Sequence, residues 1–270
     1  QTVRSWHGLL MNTPPFRVNG NRGSLPANRW RPAALSAEMK RPDEDFSLHW
    51  KPGAKRIIKN GRTHHGRTGI RQCSSVGALL IHRQGVKVVC VGDINGTWYN
   101  PNGLDIEAMY VYANSHGRSL KGYTEAGATI IPDMDLFSQD VDVLFMAAME
   151  NQLNEKTMEL VKAKLVLEGA NGPTTEEADI CFEKKGIEVL PDVMSNVGGV
   201  VGSYFEWVQN RTGYYWTEDE YNEQLKIKMR QGYEDVLALK EKYKVTYRLA
   251  AYMLALQRVV EAQNTRGFLG

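Results

Sequence analysis

The sequence predicts an α/β protein, a doubly wound parallel sheet with C-terminal helices, preceded by an N-terminal segment that is irregular or disordered. Three observations carry that expectation. Short apolar runs at residues 86–91, 141–146, 164–168 and 187–191 alternate with stretches of helical character, the order in which crossover helices join parallel strands. The first two runs are apolar almost throughout, as strands covered on both faces must be. Loops rich in glycine and asparagine follow the later strands, and in such sheets ligands collect at the carboxyl ends of strands.

Composition narrows the class. A chain of 270 residues with 42% hydrophobic content can fill one large core or two smaller ones. No apolar run approaches the roughly 18 residues of a membrane span, and the start lacks the charged, apolar and small-residue succession of a secretory signal. A soluble cytoplasmic protein is expected. Cys73, Cys90 and Cys181 are too far apart for the paired ligands of a zinc site or the close pair of a redox motif, so they read as free thiols. Charge divides the chain: residues 1–70 hold 13 basic and 4 acidic side chains, the remainder 20 and 27. The boundary is placed there, with a basic unassigned segment over 1–70 and the α/β domain over 71–270, its C-terminal helices starting near 217.

Residues 1–70 contain Trp6, Trp30 and Trp50 among scattered Pro, Gly and Arg, with no apolar period long enough to define an element. Such a composition stays solvated because it buries too little apolar surface to offset chain entropy. It also suits a nucleic-acid contact, in which Arg29, Arg31, Lys55, Arg56, Arg62 and Arg67 would meet phosphates. The solvated reading is preferred.

From residue 78 the elements follow in order. Residues 78–83 form a helix that Gly85 ends, and the strand 86–91 delivers Asp93 to its carboxyl end, opening the turn Asp93-Ile-Asn-Gly96. Asn100-Pro-Asn-Gly103 is a second turn, after which Asp105 caps a helix with Ile106, Met109 and Tyr110 on one side and Gly117 at its end. The strand 141–146 brings Ala147, Ala148 and Glu150 to its carboxyl end, and Asn154 caps a helix over 155–162. The strand 164–168 runs into Gly169, Asn171, Gly172 and Pro173. Thr174 and Glu177 have the spacing of a capping box, and Gly186 suits a left-handed helix end. After the strand 187–191, Gly198, Gly199 and Gly202 let the backbone approach something flat before an aromatic-rich helix. Thr217 and Glu220 open a long helix to about 243, with Tyr221, Leu225, Met229, Val236 and Leu239 on its apolar side. Thr246 caps the last helix, where Leu249, Ala250, Met253, Leu256, Val259 and Val260 recur at helical spacing. Both stripes are expected to be packing faces.

Two of these loops resemble a known family. Glu168-Gly-Ala-Asn-Gly-Pro-Thr-Thr175 and Asn196-Val-Gly-Gly-Val-Val-Gly-Ser-Tyr-Phe-Glu-Trp207 are similar to the cofactor-domain signatures of glutamate dehydrogenases, within the wider amino-acid dehydrogenase family. The resemblance extends over roughly residues 76–270. It implies a Rossmann-like domain, NAD as cofactor, and oxidative deamination of L-glutamate to 2-oxoglutarate and ammonia, with a leucine or phenylalanine dehydrogenase as the alternative. A homo-oligomer, common in the family, is left open. By this resemblance Asn171 and Asn196 hold the nicotinamide side of the cofactor, a task suited to neutral amides that donate and accept without fixing a charge beside the ring. Ala147 and Ala148 leave room for that ring against backbone. Ser203 bonds the side-chain carboxylate of glutamate and Val200 lines the pocket; the serine favours an acidic substrate.

The family's Gly-x-Gly-x-x-Gly turn falls on Gln72-Cys-Ser-Ser-Val-Gly77, where only Gly77, the third glycine, matches. Ser74 puts a side chain where backbone should approach pyrophosphate, and no strand is recognisable before it. Asp93, about twenty residues past the start of the turn, takes the place of the acidic residue that accepts from adenosine ribose hydroxyls. Ile94 beside it joins the cofactor contacts, and the Asp93 charge favours NAD over NADP by repelling a 2′-phosphate. Nothing in 1–70 matches the lysine motif or the catalytic lysine and aspartate of the family's substrate domain, so no catalytic residue is recognisable. Such a break is what a reading-frame error or truncated gene leaves, and the chain is expected to be a cofactor-domain remnant with little or no turnover.

Overall fold

The computed structural model describes residues 57–60 and 72–267. Its strands are β1 (Ile57–Asn60), β2 (Val88–Asp93), β3 (Gly96–Tyr99), β4 (Thr129–Ile131), β5 (Val143–Met146), β6 (Leu165–Glu168) and β7 (Glu188–Leu190). Its helices are α1 (Gln72–Arg83), α2 (Ile106–Ser115), α3 (Glu176–Lys185), α4 (Asp192–Ser195), α5 (Gly198–Thr212), α6 (Glu218–Tyr243) and α7 (Tyr247–Arg266). The strands form one sheet in the order β4-β3-β2-β1-β5-β6-β7. All neighbours from β2 through β7 pair in parallel, and β3 and β4 add an antiparallel edge.

Strand β5 shows why the sheet is wound on both sides. Val143 and Phe145 pack with Ile81 of α1, whereas Leu144 and Met146 pack with Ala178 and Phe182 of α3, because successive residues of a strand point to opposite faces. Each such side chain contributes roughly 2 kcal/mol by leaving water. At the far edge, Leu190 of β7 meets Val236 of α6 with Tyr247 and Ala250 of α7, which seats the C-terminal helices on the sheet.

The α/β class holds, with changes in particular elements. A strand does precede Gly77: Ile57–Asn60 pairs in parallel with β2 and β5 at the middle of the sheet, so the sheet begins before the expected boundary at 71. Four residues that include Lys59 and Asn60 are too few to display a period. The rest of the basic segment, with its expected irregularity and its candidate phosphate contacts, lies outside the described residues. Helix α1 starts at Gln72 rather than 78. The turn after Asp93 closes a hairpin in which Asp93 faces Gly96, and its second strand was hidden between two turn motifs.

Residues 155–162 do not form the expected helix. Asn154 Oδ1 accepts from the Lys156 N–H at 2.9 Å, and the Thr157 hydroxyl donates to Gln152 O at 2.8 Å while accepting from the Asn154 N–H at 2.9 Å. Side chains thus take partners that a helical backbone would need. Thr175, not Thr174, caps α3, and Gly186 ends it at φ 70°. Gly198 and Gly202 lie inside α5 rather than ahead of it, and a Cβ on Gly202 would collide with the Tyr221 hydroxyl. The flat object near that glycine is therefore a ring of α6. Thr217 with Glu220 and Thr246 cap α6 and α7 as expected. Only Tyr247 and Ala250 of α7 are buried, however, and Leu249, Leu256, Val259 and Val260 are open to solvent. No helix among the described residues is long and apolar enough to cross a membrane.

Candidate functional site

Gly92, Asn60, Met146 and Glu168 stand in one row across neighbouring parallel strands, so Asp93, the last residue of β2, lies at the same end of the sheet as Ala147 and Gly169, which follow β5 and β6. The chain passes from β1 to β2 on one side, while β5 flanks β1 on the other. A sheet of this kind opens a crevice at such a reversal. Beside it, a Cβ on Gly77 of α1 would stand 3.0 Å from Phe145 Cε1. Glycine therefore brings α1 close against β5, the helix-to-strand packing that the third glycine of the turn provides.

Three loops converge at this edge. Ala147 and Ala148, ending β5, are buried. The N–H groups of Gly169 and Ala170 both donate to Met146 O at 2.8 Å, and a Cβ on Gly169 would lie 2.5 Å from Phe145 Cε2 and 3.2 Å from Ala147 Cβ. Further along, the Asn151 N–H donates to Gly172 O at 2.9 Å and the Leu153 N–H to Pro173 O at 2.8 Å, joining the loops after β5 and β6. Asn196, between α4 and α5, donates from Nδ2 to Asn171 Oδ1 at 2.6 Å. That bond uses one donor and one acceptor, leaving the Asn171 NH₂ and the Asn196 carbonyl oxygen for other partners. The Gly172 N–H donates to Asp192 Oδ2 at 2.8 Å, with Gly172 at φ 54°, where a side chain would be strained.

Beneath these loops lies an ionic cluster that sequence reasoning missed. Glu168 is fully buried: its Oε2 accepts from the Asp192 N–H at 2.9 Å and from Arg248 Nη1 at 3.3 Å, and its Oε1 from Arg248 Nη2 at 2.8 Å. Arg248 Nε also donates to Asp179 Oδ2 at 2.8 Å, and the Ser195 hydroxyl donates to Glu168 O. Burial alone would lower the Arg248 pKa, but its bonds to Glu168 and Asp179 and their charges hold it raised. The available signal was an arginine between Tyr247 and Leu249 at the start of an apolar stripe, with a carboxylate closing the apolar strand Leu165–Glu168. Buried charges require partners.

The remaining predicted site residues stand apart from this cluster. Asp93 is fully buried, its Oδ1 accepting from the Asn95 N–H at 2.6 Å and its Oδ2 from the Leu120 N–H and Asn95 Nδ2, each at 3.1 Å. The turn-holding role is the one its carboxylate performs here. Ile94 next to it is exposed. Val200 and Ser203 sit three residues apart on α5, hence on one side of it; both are exposed, and the Ser203 hydroxyl donates to Gly199 O at 3.1 Å. Ser203 thus lies inside the helix. The structure brings Asn171 and Asn196 together and sets Ala147 against Gly169.

The model of the glutamate/leucine/phenylalanine/valine dehydrogenase family matches residues 68–267. The chain is 40% identical over 213 residues to the NAD-specific glutamate dehydrogenase of Clostridioides difficile, covering 79% of this chain and 49% of that one. Against the glutamate dehydrogenase of Thermotoga maritima it is 42% identical over 200 residues, covering 74% and 47%. The hetero-hexameric glutamate dehydrogenase of Thermus thermophilus, solved in a leucine-bound form, aligns with a TM-score of 0.73 at 27% identity, over 95% of this chain and 57% of that one. That of Peptoniphilus asaccharolyticus aligns at 0.69 and 29%, over 88% and 54%. The chain spans about half the length of the curated relatives it matches.

Proposed function

Because this chain belongs to the glutamate/leucine/phenylalanine/valine dehydrogenase family, we propose that it carries the NAD-binding half of a glutamate dehydrogenase, which oxidatively deaminates L-glutamate to 2-oxoglutarate and ammonia. The observation that supports this most directly is the amide pair: Asn171 and Asn196, from separate loops, meet at 2.6 Å beside the crevice where a doubly wound sheet receives a dinucleotide. The names of the Clostridioides difficile and Staphylococcus aureus relatives, NAD-specific glutamate dehydrogenases, favour NAD over NADP.

The residues present fit the nicotinamide end of that cofactor. The loop after β5 begins with small side chains, Ala147 and Ala148, and the amides retain a free donor and a free acceptor. When bound, NAD supplies the acceptor for a hydride from the substrate α-carbon. Asn171 and Asn196 would orient the carboxamide through those free groups. The mutual bond holds each amide in one orientation, so little side-chain freedom is lost on binding. Ser203 would turn its hydroxyl from Gly199 O toward the substrate side-chain carboxylate, with Val200 lining the same side of α5. Ile94, exposed at that turn, would meet the adenosine end, while the buried Asp93 holds the turn that presents it.

Deamination further requires a base poised near neutral pH, and the lysine and aspartate that would serve are not recognisable in this sequence. We therefore assign the chain, acting alone, cofactor binding with little or no turnover. Purified protein is expected to gain thermal stability with NADH and to form no NADH at 340 nm from glutamate and NAD. Absence of a thermal shift removes the cofactor reading, and steady turnover removes the assignment of inactivity.

A further inference from the structure

The last helix is wired to the amide pair. Arg248, in the first turn of α7, holds the Glu168 carboxylate with two N–H groups. Glu168 in turn accepts from the Asp192 N–H at 2.9 Å, and the Asp192 carboxylate accepts from the Gly172 N–H at 2.8 Å. Gly172 follows Asn171 directly, and Asn171 is bonded to Asn196. Asp179 of α3 holds the third face of the guanidinium through Nε at 2.8 Å, so Arg248 has a fixed seat against both the sheet and the helix that the loop enters. Within this cluster the Glu168 side chain is fully shielded and that of Arg248 is 21% exposed. A bidentate guanidinium–carboxylate pair fixes direction as well as distance, and every later link is a hydrogen bond of 2.9 Å or less.

We infer that Arg248 is a positioning residue: through Glu168, Asp192 and Gly172 it sets the loop that carries Asn171, and so makes the placement of the amide pair depend on the seat of α7. The inference rests on the cofactor reading for its functional consequence and on the hydrogen-bond chain for its mechanical one. Whatever shifts α7 against β6 is passed through these bonds to the amides.

The test compares the full chain with Arg248→Met, with Asp179→Asn, which loosens the guanidinium while leaving Glu168 its partner, and with Arg258→Met on the same helix, whose Asp235 partner lies on α6. Hydrogen exchange of the Gly172 amide reads the mechanical link without any ligand. The ratio of affinities for NADH and ADP-ribose reads the nicotinamide end alone, because ADP-ribose lacks that ring. Arg248→Met is expected to speed Gly172 exchange and to lower the NADH preference about tenfold, Asp179→Asn to do so more weakly, and Arg258→Met to do neither. If Arg248→Met does not fold, Asp179→Asn decides. Wild-type exchange at Gly172 together with a wild-type affinity ratio in the folded variant overturns the inference. Faster Gly172 exchange in a protein whose parent binds no NADH upholds the mechanical link and sinks the cofactor reading instead.

Discussion

Asn196 donates to Asn171 across 2.6 Å, although the two are 25 positions apart, with two helices and a strand between them in the chain. The bond has a direction, with Asn196 as donor. Asn196→Asp would put a carboxylate where the amide donor stood, so that Asn171 turns its NH₂ toward the new charge and away from the cofactor, which is expected to weaken NADH binding by about tenfold. Fluorescence titration with NADH checks this; an unchanged dissociation constant would separate the amide pair from the cofactor.

Gly169 is glycine because Phe145 is large. Gly169→Ala would press a methyl group to 2.5 Å from the Phe145 ring, a cost of about 1–3 kcal/mol in urea denaturation. Phe145→Leu in the same chain should recover most of that loss, since contacting residues couple. Additive losses in the double variant would mean that the clash lies elsewhere.

The fold should weaken toward alkaline pH. Burial pushes the Cys90 thiol from 9.0 up to about 12, and burial likewise raises the Tyr123 and Tyr247 hydroxyls. Between pH 9 and 12 the unfolded chain has released the Cys90 proton that the folded chain keeps. The Cys90 contribution is complete below pH 9 and is lost as pH rises to 12. Cys90→Ala should flatten the fall of melting temperature across that window, and an identical slope would refute the assignment. Iodoacetamide at pH 8 should spare Cys90 in the folded chain for the same reason.

The outer part of α7 should tolerate charge. Leu256 is 66% exposed, so Leu256→Lys is expected to move unfolding free energy by no more than about 0.5 kcal/mol. Ala250 is fully buried against β7 and α6, and Ala250→Leu should cost about 1–3 kcal/mol by overpacking. Equal effects at both positions would contradict the burial pattern along the helix.

What could be read from the sequence follows from how local each signal is. The caps at Asp105, Thr217 and Thr246 were legible because a cap needs only neighbouring residues, and β2 and β5 because strands buried on both faces are apolar along their length. The loops bearing Asn171 and Asn196 were singled out by composition, but that the two side chains bond to each other is a tertiary fact. Arg248 escaped because its partners are 80 and 69 residues away and its neighbours read as an apolar stripe. The helix expected at 155–162 failed where Asn154 and Thr157 bonded locally, and the α7 stripe carried a helical period of which, among the described residues, Ala250 is the buried member.

Strand β1 is four residues long, yet it is the keystone between β2–β3–β4 and β5–β6–β7. A protein cut just ahead of Gln72 would have its sheet parted into two three-stranded halves joined through α1, each offering a bare row of N–H and C=O groups along the flank where β1 had lain. Such flanks recruit strands from other molecules. The fragment with the cleanest family resemblance would therefore be the one prone to clump, and expression work should keep Ile57 and its neighbours attached.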